Sequence, residues 1–308
     1  MTDAAEPIPP ELFVPDPGQP VQSLSTAEPQ EFWADVWRRF RGNRAAMASL
    51  SVLILLALLA IFAPILSHYS IAQTDLFNTY KRPSFVHFFG TDGLGRDVWT
   101  QVWMGARISL TVGLTAALIQ MLIGVVIGCI SGLYGGRVDM FLMRTVDIMI
   151  AIPFLIWVSL VVIVLKPGIV SIILAFALTQ WTEIARLVRG EVLKLQNTEF
   201  VIASQSMGAG SWRLIVRHFF PNILPVVIVA VTFQITNAIF GEAFLSYIGL
   251  GIQEPLTSWG KLVAAGVREM RGNPYMLIFP AIAISLTMLA LQLIGDGLRD
   301  ATDPKLRQ

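Results

Sequence analysis

Charge is scarce in this chain. Lys and Arg contribute 22 residues and Asp and Glu 21, so charged side chains make up 14% of 308, against about 25% in an average soluble domain. Cysteine is scarcer still. Cys129 is the only one, and inside an apolar run it reads as a small buried apolar residue. The three histidines, His68, His87 and His218, lie in different segments, so a zinc site is not expected. No Gly-x-x-x-x-Gly-Lys-Ser/Thr phosphate loop occurs, because Gly260-Lys261 is followed by Leu262 and lacks the glycine loop. There is no His-Glu-x-x-His, no nucleophile–base arrangement and no 20–50-residue repeat. These absences argue against an enzyme.

What is present is apolar length. Hydrophobic residues make up 55% of the chain, and charge-free runs cover Ala45–Leu66, Ile108–Gly136, Ile148–Leu165, Pro167–Thr182, Phe219–Gly241 and Asn273–Gly295. A helix needs about 20 apolar residues to cross the hydrocarbon core. Four runs meet that length. The third extends backward through Met140–Asp147, and the fourth needs to reach Ala185 or Leu187. The expected fold is an all-α polytopic membrane protein of six transmembrane helices. Basic residues set the orientation: with both termini inside, 14 of the 22 fall on the inner side and 8 on the outer.

The segments between the spans differ in kind. Residues 1–30 hold seven of 17 prolines and no basic residue, which predicts a disordered cytosolic tail. They lack the regions of a signal peptide, so the first span is expected to be retained. Residues 31–44 read as an interfacial amphipathic helix, with Phe32, Val36 and Phe40 every four residues, Trp33 and Trp37 beside them, and Arg38, Arg39 and Arg41 to meet anionic lipid. The membrane body, 45–308, has an outer loop over 67–107 and a second over 250–274. In the first, Phe89-Gly-Thr-Asp-Gly-Leu-Gly-Arg-Asp97 is dense in turn formers, and Arg96 is placed to pair with Asp92 and Asp97. A calcium loop fits poorly, since alternating oxygen ligands and a closing glutamate are missing.

Within the spans, Gly124, Gly128 and Gly132 share a face and predict close helix packing. Pro153 predicts a kink, serving either a cavity or packing. Glu183 and Arg186 are spaced to pair on a helix, and read first as a charged cytosolic helix end rather than a proton relay. Glu242 lies near the outer end of the fifth span, where it is either a pathway or gating acid or a structural one.

Residues 189–221 interrupt the apolar pattern with a polar, basic stretch on the cytosolic side. Thr198 is placed to cap a helix, with Glu199 in its first turn. Phe200, Ala203, Ser204 and Met207 then share a face, and Gly208 and Gly210 break it. Ser211 is placed to cap a second helix whose Trp212, Ile215, Val216, Phe219 and Phe220 form an apolar stripe. On the residues alone this is either a hairpin lying on the membrane or its own subunit, or a docking surface for a motor.

The segment resembles the cytosolic coupling loop of inner-membrane permease subunits of binding-protein-dependent ABC importers, whose pattern is Glu-Ala-Ala, three residues, Gly, nine residues, then Ile-x-Leu-Pro. Here Ile202-Ala203-Ser204 stands at the triplet, Gly208 at the glycine and His218-Phe219-Phe220-Pro221 at the end. Ile202 replaces the glutamate. Phe89-Gly-Thr-Asp-x-x-Gly-Arg-Asp97, Leu245-Ser-Tyr-Ile-Gly-Leu-Gly251, Ser258-Trp-Gly260 and Gly295-Asp-Gly-Leu-Arg-Asp300 are similar to the peptide/nickel permease group. Trp37-Arg-Arg-Phe40 with Asn43-Arg-Ala-Ala46 is similar to the C subunit of oligopeptide permeases. The resemblance implies a type I importer architecture in a bacterial cytoplasmic membrane and heterodimerisation with a homologous permease. It also implies one or two ATPase subunits that bind ATP and Mg, and an extracytoplasmic peptide-binding protein. This chain would hold no cofactor, metal or nucleic acid. The implied coupling residues are Glu199, Ile202, Ala203, Ser204, Met207, Gly208, Ala209, Gly210, Ser211 and Trp212. Two alternatives stand: import of nickel or another small solute, and a proton-coupled carrier using Glu183 or Glu242.

Overall fold

Runs of about 20 apolar residues can satisfy their backbone in lipid only as helices, and every element of regular structure in the described part of the chain beyond one isolated bridge is helical. The computed structural model describes residues 32–303. The tail over 1–30, Glu31, and Pro304 to Gln308 with Lys305 and Arg307 lie outside the described residues.

The chain begins with α1 (Phe32–Gly42) and α2 (Arg44–Leu66), joined at Asn43, whose side-chain oxygen accepts from the Ala46 N–H at 3.1 Å. Val36 and Phe40 of α1 are buried with Ile294 and Ala301, while Trp33 and Trp37 are exposed. The expected aromatic face is therefore split: the four-residue stripe packs on protein and the tryptophans turn outward.

After an outer segment over 67–97 comes α3 (Val98–Tyr134), 37 residues long. It starts ten residues before the expected loop end at 107, because Asp97 caps it: Oδ2 accepts from the Thr100 N–H at 2.8 Å. Gly124, Gly128 and Gly132 of α3 face α7 (Trp181–Gln196), and a Cβ at Gly128 would lie 2.6 Å from the Ala185 carbonyl. Glycine lets the two backbones approach to that distance.

The third apolar run is not one kinked span. It forms α4 (Gly136–Ala151) and α5 (Phe154–Leu165), bent by 85° at a break containing Pro153. Proline has no N–H to donate to Met149, four residues back; the Met149 carbonyl accepts instead from the Trp157 indole at 3.4 Å. The fourth span combines α6 (Ile169–Thr179) with α7 and runs past Leu187 to Gln196. Among the described residues, five helices are therefore long and apolar enough to cross a membrane, and six when the bent α4–α5 pair counts as one span.

In the polar interruption, α8 (Glu199–Ser206) is short. The expected second cytosolic helix is not separate: α9 (Ser211–Arg213) continues through a widened turn over Leu214–Phe219 into α10 (Phe220–Tyr247). Pro221 carries no donor, and in the turn before it the Phe220 N–H reaches back five residues to Ile215. The second outer loop contains its own helix, α11 (Trp259–Glu269), before α12 (Tyr275–Thr302) closes the described chain.

Candidate functional site

The cytosolic interruption has two faces. Thr198 occupies the cap position of α8, yet its hydroxyl donates backward to the Leu195 carbonyl at 2.6 Å and caps no N–H. Glu199 is exposed in the first turn. On the inner face, Val201 is fully buried with Val192 of α7, with Leu214 and Phe219 of the widened turn and with Ile223 of α10. Ser204 is buried too, its hydroxyl 3.1 Å from His218 Nε2. The expected Phe200–Ala203–Ser204–Met207 face is thus divided, with Ser204 turned in and the other three out.

On the outer face Ile202 is 50% exposed, Met207 82% and Trp212 77%, with Phe200 and Ala203 beside them in the open. Large apolar side chains this exposed on a polar loop mark an interaction surface. Between the helices, Gly208 has φ +82°, a left-handed conformation suited to glycine. The Met207, Gly208 and Ala209 N–H groups close the helix end onto the Ala203, Gln205 and Ser204 carbonyls at 2.9–3.0 Å. Ala209 is half-buried against the inner cluster. Gly210, not Ser211, holds the cap position of α9; Ser211 is its first residue and makes no side-chain cap. Trp212, Val216 and Phe220 of the expected stripe line an apolar groove of about 610 Å³ against α3.

The break at Pro153 borders a cavity of about 580 Å³. Trp157, Phe240 and Phe244 give it aromatic walls, and Gln180, Glu183, Arg186 and Asn237 give it polar ones. Glu183 and Arg186 do not pair with each other as expected. Arg186 reaches Asp147 of α4 at 2.6 Å, and Glu183 accepts from Gln234 of α10 at 2.6 Å. Deeper toward the cytosol, Arg189 holds Asp139 through two bonds of 2.5 and 2.6 Å and ties α7 to α4.

Glu242 is placed elsewhere. It is fully buried between α3, α10 and the start of α11, accepting from Ser109 at 2.9 Å and Ser246 at 2.7 Å. Ser109 in turn accepts from the Trp259 N–H at 3.2 Å. Held by these partners, Glu242 does not line the cavity at the Pro153 break. On the outer surface, Arg96 pairs with Asp92 at 2.7 Å and Glu254 at 3.4 Å, while Asp97 binds His87 at 3.0 Å. Burial pushes the Lys261 ammonium below its usual value, with the Glu254 charge opposing the shift.

Two families match the chain in sequence. Residues 124–308 match the family described as binding-protein-dependent transport system inner membrane component. Residues 31–83 match the N-terminal TM domain of oligopeptide transport permease C. The chain is 45% identical over 276 residues to the oligopeptide transport system permease protein OppC of Bacillus subtilis (strain 168), covering 90% of each. It is 43% identical over 315 residues to the dipeptide transport system permease protein DppC of the same strain, covering 100% of this chain and 98% of that one. Identity to the glutathione transport system permease protein GsiD of Escherichia coli O6:K15:H31 (strain 536 / UPEC) is 40% over 276 residues, covering 89% and 91%. Among solved structures, an inward-facing form of the MetNI methionine ABC transporter aligns with a TM-score of 0.54 at 18% identity, over 66% of this chain and 97% of that one; this likeness concerns the fold.

Proposed function

The chain belongs to the family of binding-protein-dependent transport system inner membrane components, and from that membership we propose that it carries short peptides inward, driven through its exposed cytosolic face by an ATPase partner. As a multi-pass permease subunit of the cytoplasmic membrane, it works with ATPase partners and a second permease. Family membership displaces the proton-coupled carrier. In our reading, a peptide-binding protein supplies the cargo from outside, and ATP and Mg reside on the ATPase subunits and not on this chain. Anionic lipid meets the arginines of α1.

One observation carries the coupling assignment. The apolar face of Phe200, Ile202, Met207 and Trp212 is exposed, while Val201 and Ser204 on the back of α8 are buried against α7 and the widened turn that leads into α10. A push on the face is transmitted into two spans, and these spans wall the cavity at the Pro153 break. For ATP to drive the spans between an inward and an outward opening, the face must interact differently with open and closed motors. Ile202 makes the contact apolar where the family pattern has glutamate.

The test is uptake of labelled tripeptide into proteoliposomes containing the purified complex. Accumulation is expected only with ATP, the ATPase subunits and loaded binding protein together. Accumulation by a complex lacking the ATPase subunits would refute the reading.

A further inference from the structure

We infer that Glu183 is a cation-accepting station on the solute path, positioned by Gln234 to receive the terminal ammonium of a passing peptide. Glu183 lies half-way along the 28-residue span Ile169–Gln196 and is exposed to the cavity at the Pro153 break. Carboxylates at that depth are costly against lipid and are found facing protein or a water-filled cavity. A cavity of about 580 Å³ is of the size that takes a small solute.

The charge is left available by the surroundings. Arg186, one turn on, is paired with Asp147 at 2.6 Å, and among the described residues no ion pair cancels Glu183. Its one hydrogen-bond donor is neutral: Gln234 Nε2, at 2.6 Å. The Gln234 side chain is itself buried, and its Oε1 has no partner, so the amide is oriented toward the carboxylate at the expense of its own acceptor. Trp157, Phe240 and Phe244 line the same cavity, and aromatic faces favour ammonium groups. Asn237 adds a neutral polar group on α10.

This inference rests on the peptide-import reading, and the experiment separates the two. Asn237→Cys is introduced into the full complex, where Cys129 is the only other cysteine of this chain and is buried. Labelling of position 237 by ethylammonium and ethylsulfonate methanethiosulfonates is followed by mass spectrometry. With each rate divided by that reagent's rate with a free thiol in solution, the cationic reagent is expected to react about 10-fold faster, a typical gain from a focused field, and Glu183→Gln is expected to bring the two normalised rates together. Uptake of trialanine, whose only cation is its terminal ammonium, is expected to fall about 10-fold in Glu183→Gln and to be largely retained in Glu183→Asp. No labelling, equal rates with Glu183 present, a preference that survives Glu183→Gln, or unchanged trialanine uptake would each overturn the inference. If the unsubstituted complex imports no peptide at all, the functional reading falls instead.

Discussion

The outer segment over 67–97 and the loop over 197–210, which carries α8, both connect longer helices through glycine-containing turns, but they are built in opposite ways. Outside, Asp92 accepts from the Leu94 and Arg96 N–H groups, both at 2.9 Å, from Arg96 Nε at 2.7 Å and from Gln101 at 3.0 Å. Thr91 is buried and its carbonyl accepts from the Tyr275 hydroxyl at 2.8 Å. A Cβ at Gly90 would sit 2.5 Å from the Lys81 carbonyl. Inside, Gly208 and Gly210 have open space where a Cβ would be. Gly90 is required both by its φ of +79° and by packing against neighbours, while Gly208 is required by its φ alone. One connection holds a single shape by itself; the other presents a shape for something else to grip, as segments drawn into binding and motion must.

Gly208→Pro should break the comparison most sharply. Proline cannot adopt φ +82° and removes the Gly208 N–H bond to Gln205. Because nothing packs against the site, the thermal midpoint of the purified complex is expected to stay within a few degrees. Peptide uptake should fall by more than about 10-fold while ATP hydrolysis continues, since the coupling helix no longer ends in register. Normal uptake would show that the loop does not transmit the stroke.

Asp92→Ala probes the other region. It leaves Arg96 with only the longer Glu254 contact and the buried Gln101 amide without its partner, and losing a partner of a largely buried charged group costs about 3 kcal/mol. A lower detergent melting midpoint and a lower yield are expected, with the surviving protein still coupling ATP to uptake. A variant of normal stability that is uncoupled would reverse the roles assigned to the two regions.

How far each region was legible follows from the same contrast. The spans were readable because lipid allows few alternatives to a helix, and the glycine face of α3 because three glycines in register have one steric use. Gly208 was readable as a helix break through its own backbone preference. The 85° turn at Pro153 was not, since proline states only that a donor is missing; the angle depends on Trp157 and on the packing of α5. Glu183 and Arg186 had the spacing of an ion pair, yet Gln234 and Asp147, distant in sequence, took them apart. The split of the α8 face, with Ser204 inward, depends on His218 fourteen residues on. At Glu183, Arg186 and Ser204, partners distant in sequence decided what the local pattern left open.

Met207→Ala and Ile202→Ala should sharpen the description of the inner face. Each removes exposed apolar surface that contributes nothing to the fold of the chain alone, so melting is expected to be unchanged. If these side chains fill a pocket on the ATPase, each truncation costs about 1–2 kcal/mol of association. That is roughly a 5- to 30-fold weaker apparent affinity in titrations of ATPase subunits against the permease pair. The larger loss is expected for Met207, the more exposed of the two.

The smallest effect is expected at Thr198. A threonine that caps a helix typically contributes about 1 kcal/mol. Here the hydroxyl donates to the Leu195 carbonyl of the preceding helix and leaves the α8 N–H groups to other partners. Thr198→Ala should therefore cost under about 0.5 kcal/mol, a change in melting midpoint of about 1 °C. Transport should be nearly normal, because the rigid link between α8 and the spans runs through Val201 and Ser204 rather than through the cap. A loss above about 1 kcal/mol would mean that the start of α8 is fixed as firmly as the outer segment, and the contrast between the two connections would then lie in their exposed side chains and not in how tightly they are tied.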